Sequence, residues 1–247
     1  MAVTYSWPER ALLAECDPSG GSVLAGHLSG RMPPAPGLLE LGLALAHNTD
    51  PEVVWQHLVR VDPSVRWRLL PGLQDPRQAA QLDGVWPAIA EALVTAMGDQ
   101  ADVLLDLGRI GDRETPYALL GAVDLLCMVV RPTLRQVDAA RHRLEALGYG
   151  PGGQGALPVA LCVVGEGPYK YWEVSEALDG LPVVGRLPAD AQAAAYFSDG
   201  IVPRRWTRVT TFLQAATGLV VALRRMAEPA QAARRPASAG SGRRSGR

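Results

Sequence analysis

The chain has 247 residues, nearly balanced charge (24 Lys+Arg against 25 Asp+Glu) and an apolar fraction of 48%. That length suits one α/β domain, or a domain with a tail, and the apolar content allows a large core. Near-neutral charge argues against non-specific nucleic-acid binding by the folded body.

Residues 1–10 read as the end of a helix or a loop, since Trp7-Pro8 does not continue a helix. Residues 12–16 form the first strand, and 22–28 a short helix. Residues 31–36 are a proline-rich linker, and 37–47 have helical spacing. Pro51 starts a further helix with Asp50 as its cap. Residues 65–70 read as a strand, stopped by Pro71-Gly72. An amphipathic helix covers 86–97, and a second apolar strand covers 102–107. Residues 115–123 are helical, with Thr115 as cap and Pro116 in the first turn.

Residues 125–130 form an apolar strand. The clearest helix covers 133–147, with Val137, Ala140, Leu144 and Leu147 on one face. Then come a strand at 159–164, a glycine loop, a helix at 169–178, a strand at 183–187 and a helix at 191–200. A long closing helix spans 206–226. Strands alternating with helices predict an α/β fold: a mostly parallel sheet flanked by helices, with right-handed crossovers. No internal repeat is present. From Pro229 the composition shifts to Ala, Pro, Gly, Ser and Arg, so 1–228 is read as the domain and 229–247 as a disordered basic tail. A solubilising role for this tail is favoured over contact with nucleic acid.

Cys16, Cys127 and Cys162 are odd in number and lie in or beside apolar runs. They read as buried thiols of a reducing compartment, not as disulfides or metal ligands. No run approaches the ~18 apolar residues of a membrane span, and no signal peptide opens the chain. A soluble cytoplasmic protein is expected.

Two acidic loops carry the chemistry. In one, the strand at 12–16 runs into Glu15-Cys16-Asp17-Pro18-Ser19-Gly20-Gly21; in the other, Val103-Leu104-Leu105 runs into Asp106-Leu107-Gly108. Open α/β sheets bind ligands at the carboxyl ends of their strands, so two such aspartates can face one pocket. A phosphate-bound magnesium ion needs oxygen ligands of this kind. The plainer readings are a turn aspartate before proline at Asp17 and a solvated strand-end aspartate at Asp106. Gly20 and Gly21 serve equally as a mobile switch or a simple turn. Lys170 is the sole lysine, in Gly165-Glu166-Gly167-Pro168-Tyr169-Lys170-Tyr171, which does not fit the phosphate-loop pattern G-x-x-x-x-G-K-[ST].

In order along the chain, these segments resemble ParA and MinD ATPases. Glu15 to Gly21 is similar to the acidic-x-Asp-Pro-x-Gly signature after the family's second strand. Asp106-Leu107-Gly108 resembles its Walker B end, and Val129-Val130-Arg131-Pro132-Thr133 resembles its V-x-P-T segment. Val184-Gly185-Arg186-Leu187-Pro188 is similar to the late strand and proline that border the base. The resemblance covers roughly residues 12–226.

It implies ATP and Mg²⁺ as cofactors. Asp17 would assist attack of water on the γ-phosphate, and Asp106 would hold the metal, usually through water. Gly20, Gly21, Gly108, Gly165 and Pro188 would border the nucleotide. It further implies a homodimer around ATP and a role in positioning DNA or a cellular assembly through a DNA or protein partner. Two departures stand out. The asparagine that often reads adenine has no counterpart at 165–170, where the family carries it; the sole asparagine is Asn48. The family's first strand and phosphate loop have no counterpart either, so the domain is expected to be N-terminally incomplete, from a start placed too late. The alternative is a non-catalytic interaction module on the same fold, with no cofactor.

Overall fold

A computed structural model describes residues 1–32, 35–61, 64–111, 115–149 and 157–234. Seven strands alternate with helices: β1 (Ala11–Glu15), β2 (Val59–Arg60), β3 (Trp67–Leu70), β4 (Asp102–Asp106), β5 (Leu126–Val130), β6 (Val159–Val164) and β7 (Val183–Leu187). The helices are α1 (Ala2–Tyr5), α2 (Leu38–Leu45), α3 (Trp86–Met97), α4 (Tyr117–Ala122), α5 (Leu134–Ala146), α6 (Tyr171–Ala177), α7 (Ala191–Asp199) and α8 (Thr207–Arg234). Two 3-10 helices cover Pro51–His57 and Pro76–Leu82.

The strands form two sheets, ordered β2-β3-β1-β4 and β5-β6-β7. All pairings are parallel except β2 with β3. This is the expected mostly parallel architecture, with a short antiparallel edge. β4 and β5 are joined through α4, the kind of helical crossover that parallel neighbours require.

Strand alternation distributes the core over two faces. Leu12 and Ala14 of β1, with Cys16 just after it, join Leu161 and Val163 of β6 in one cluster with α2 to α6. Their neighbours turn the other way: Ala11 and Leu13 pack with Trp67 and Leu69, and Ala160 and Cys162 pack against Leu219 and Leu223 of α8. Both sheets are thus parts of one layer with helices on either face, which is why their strands read as continuous apolar runs.

Local chemistry explains most boundaries. Asp50 caps the 3-10 helix by accepting from the Glu52 N–H at 3.0 Å. Asp190 caps α7 by accepting from Gln192 (2.9 Å) and Ala193 (3.0 Å). Two expectations change. Residues 22–28 form turns, not a helix, because the bonding drifts to Leu28 N–H to Val23 O and Gly30 N–H to Leu24 O. Ser29, with φ of 53°, ends any helical path there. The closing helix continues through Pro229 to Arg234. Proline removes one donor, but alanines 227, 230, 232 and 233 favour helix around it. Residues 235–247 of the expected tail lie outside the described residues. Among the described residues, no helix is long and apolar enough to cross a membrane.

Candidate functional site

The two acidic loops meet at the carboxyl ends of β1 and β4. These strands pair in register, with Glu15 opposite Asp106, and the Cys16 N–H continues the ladder to the Asp106 carbonyl at 2.8 Å. The Asp17 carboxylate lies directly against Gly108, whose φ of +59° is a left-handed value that glycine tolerates. Asp106 Oδ1 accepts from the Gly108 N–H at 3.0 Å and so folds its loop back toward the strand end. Asp17 and Asp106 therefore share one edge of one sheet, as the resemblance requires.

Glu15 organises this edge, a role its place in the acidic motif does not by itself assign. Its side chain is buried. Oε1 accepts from the Ser22 N–H (2.6 Å) and the Val23 N–H (3.0 Å), and Oε2 accepts from the Gly72 N–H (3.3 Å). The carboxylate thus ties the loop after β1 to the loop after β3. Gly21 and Gly72 approach so closely that a Cβ on Gly21 would lie 2.8 Å from the Gly72 Cα. The sequence signal was available: a carboxylate inside an apolar strand must be paired or hydrogen-bonded.

The remaining residues of the expected site separate into a second group. Gly165 donates its N–H to Leu187 O at 2.8 Å, at the carboxyl ends of β6 and β7. Pro188 follows β7 directly. This pair belongs to the second sheet and does not line the cleft that Asp17, Asp106 and Gly108 line. Lys170 sits at the N-cap of α6, exposed, and lines no part of that cleft either.

The donor set fits a hydrated Mg²⁺, which takes one or two carboxylates and keeps several waters. Among the described residues, no group of three or more His, Cys, Asp or Glu side chains is arranged to hold a metal by itself. The residues do not fit a triphosphate. Anion cradles are built from free backbone N–H groups. Here Ser19 donates to Asp17 Oδ1, Gly20 to the Asp17 carbonyl, Gly21 to Leu73 O, and Ser22 and Val23 to Glu15. Gly108 donates to Asp106. The amides of Ser19 to Val23 and of Gly108 are committed inside the protein, and the carboxylates would repel phosphate.

Cys16 and Cys162 are buried thiols, as expected, and Cys127 is half-buried. Burial, reinforced by the charges of Asp106 and Glu15, pushes Cys16 far above the ordinary thiol range. Burial raises Cys127 to about 12 and Cys162 to about 11.

By sequence, the chain matches no family model and no curated protein. By fold, it is similar to several solved structures. It aligns with the cell-division ATPase MinD of Pyrococcus furiosus at TM-score 0.66 and 15% identity, covering 91% of this chain and 90% of that one. The ParA family ATPase of Chlorobium tepidum aligns at TM-score 0.59 and 13% identity, covering 94% and 88%. An ATP complex of Cyanothece McdA aligns at TM-score 0.62 and 15% identity, covering 90% of each chain. The order of elements, the meeting of the two acidic loops and these alignments together give this chain a ParA/MinD-like fold.

Proposed function

We propose that the protein positions or partitions DNA or a cellular assembly, as a cytoplasmic ParA/MinD-like switch. Its acidic edge, Asp17 with Asp106, would be the metal-binding side of the switch. The observation that supports this reading is the contact between the Asp17 loop and the Asp106–Gly108 loop at one sheet edge. In this reading Asp106 and Asp17 hold the waters of a Mg²⁺ ion, and assembly proceeds through a homodimer with a DNA or protein partner.

A second reading is a non-catalytic interaction module on the same fold. It is favoured by one specific observation: the committed amides of Ser19 to Val23 leave no phosphate cradle at the acidic edge. No hydrolytic step is assigned to these residues.

Calorimetric titration with Mg²⁺ and ATP separates the two. Under the second reading the chain binds the nucleotide more weakly than about 10 μM, or roughly 7 kcal/mol. A tighter constant, abolished by Asp106→Asn, would restore the nucleotide switch. For the positioning role, a fluorescent fusion in the native cell should form foci or a patterned distribution. An even, diffuse signal unchanged by Asp17→Asn would overturn it.

A further inference from the structure

The connection between α7 and α8 carries an exposed apolar patch. Gly200 ends α7 in a left-handed conformation, with φ of +64°. Ile201, Val202, Pro203, Arg204, Arg205 and Trp206 then lead into α8. Ile201 is 58% exposed, Val202 69% and Trp206 53%. A single exposed apolar side chain is ordinary, but three large ones within six residues form a patch.

The patch stands on a firm base. The Trp206 ring meets the Tyr196 ring edge-on at 5.3 Å, and Phe197 of α7 meets Phe212 of α8 at 5.7 Å. The Ile201 N–H donates to Ala195 O at 3.3 Å. Gly200 sits against the His27 carbonyl, and a Cβ on it would lie 2.8 Å from Ser29 Oγ. The turn at 26–31 therefore lies alongside the loop.

The charge around it is mostly positive. Arg204 and Arg205 are exposed, as is Arg31 in the adjoining turn, and none of the three forms an ion pair among the described residues. Arg208 is held by Asp190. From Gly200 to Ala227 the chain has five arginines and no acid. Asp199, just before this stretch, accepts from the Ser198 hydroxyl. The combination selects among anionic surfaces. A nucleic-acid backbone would reward the arginines and the indole, but it gives Ile201 and Val202 nothing apolar to enter. A bilayer interface offers acyl chains to aliphatic residues, phosphates to arginine, and the headgroup level where tryptophan sits.

We propose that the loop at 201–206 is a peripheral membrane-contact site, which docks on a bilayer rich in anionic phospholipid. Ile201 and Val202 enter the acyl boundary, and Trp206 lies at headgroup level. Arg204, Arg205 and Arg31 face lipid phosphates. So small a patch gives a weak, reversible contact, and its electrostatic part is screened by salt. The inference concerns this loop alone and does not depend on the nucleotide reading.

The test is sedimentation of the full chain with vesicles of phosphatidylcholine, alone or mixed with phosphatidylglycerol. The chain should sediment with the mixed vesicles at low salt. It should stay in the supernatant with the neutral ones, and leave the mixed ones at high salt. Two double variants isolate the loop: Arg204→Gln with Arg205→Gln, and Ile201→Ser with Val202→Ser. All four side chains are exposed, so both variants should keep the thermal midpoint of the parent. The arginine pair should lower partitioning about tenfold, and the aliphatic pair by on the order of tenfold. The proposal is overturned if the chain does not sediment with the mixed vesicles. It is equally overturned if either double variant binds them as the parent does, which would move the binding to other positive charges such as the arginines after residue 234. Tighter binding to duplex DNA than to the mixed vesicles, unchanged in the aliphatic variant, would overturn it in favour of nucleic acid.

Discussion

The Asp17 carboxylate occupies the place that a Cβ on Gly108 would take. The loops after β1 and β4 are therefore interlocked: one contributes the acid, the other the absence of a side chain. Gly108→Ala adds a methyl group at this contact, and at a left-handed φ. The expected cost is about 1–3 kcal/mol, which for a chain of this length lowers the thermal midpoint by roughly 2–10 °C. Calorimetry checks the midpoint. A Gly108→Ala protein as stable as the parent would mean that the two loops do not hold each other.

Glu15 should matter more to folding than either aspartate. Its buried carboxylate accepts three backbone N–H groups, from Ser22, Val23 and Gly72. Glu15→Ala removes all three bonds and leaves donors without their partner, a loss of about 2–4 kcal/mol. Denaturant unfolding measures the loss, and exchange at the Ser22, Val23 and Gly72 amides should accelerate. If Asp17→Asn proves as damaging as Glu15→Ala, the ranking is wrong.

His27 makes the protein sensitive to mild acid. Its Nδ1–H is placed to donate to Tyr196 O at 3.0 Å, and Nε2 to accept from the Tyr5 hydroxyl at 2.8 Å, so it links α1 to α7. Burial is the main cause that holds its pKa below the ordinary 6.5, opposed by the Tyr196 carbonyl and aided by the positive chain terminus. The unfolded chain then binds the proton more readily than the folded one. The His27 contribution is fully present above pH 6.5 and is lost as pH falls through the lower, folded value. Proton NMR of the imidazole should show a midpoint below 6.5. A His27→Gln chain should show a smaller fall in stability across that window.

The thiols should resist alkylation in the native protein. With pKa values of about 12 for Cys127 and 11 for Cys162, and higher for Cys16, the thiolate fraction at pH 8 is about 10⁻³ or less. Iodoacetamide at pH 8 should label none of the three until denaturant is added. Cys127 is half-buried beside the cleft, so rapid labelling there would show that its thiolate is more populated than a pKa of about 12 allows.

Asp190 is a second acid-sensitive point. Its pKa is depressed chiefly by the Ala193 N–H and then by the Arg208 side chain, which lies 2.9 Å away. As for any depressed carboxylate, the benefit is present above its unfolded value of 3.8 and is lost as pH falls through the folded value. Asp190→Ala removes the cap of α7 and should lower the thermal midpoint at neutral pH. Thermal unfolding of the variant at neutral pH checks this, and an unchanged midpoint would count against it.

The sequence by itself determined most of the element order, because a buried strand announces itself as an apolar run and a helix as a periodic one, but it did not show the two-residue β2 or the 3-10 helix Pro76–Leu82. The helix Trp86–Met97 and the strands Val159–Val164 and Val183–Leu187 fall where periodicity places them. It also marked Asp17, Asp106 and Gly108, since acids and glycines at strand ends are local signals. Tertiary structure decided the rest. Residues 22–28 have helical composition but turn instead, where Glu15 captures the N–H groups of Ser22 and Val23. The role of Glu15 depends on the loop after β3, far along the chain, and no local pattern encodes that meeting. The split of the strands into two sheets around a cleft was likewise beyond periodicity: an apolar run records that both faces of a strand are covered, but not whether both of its edges are paired.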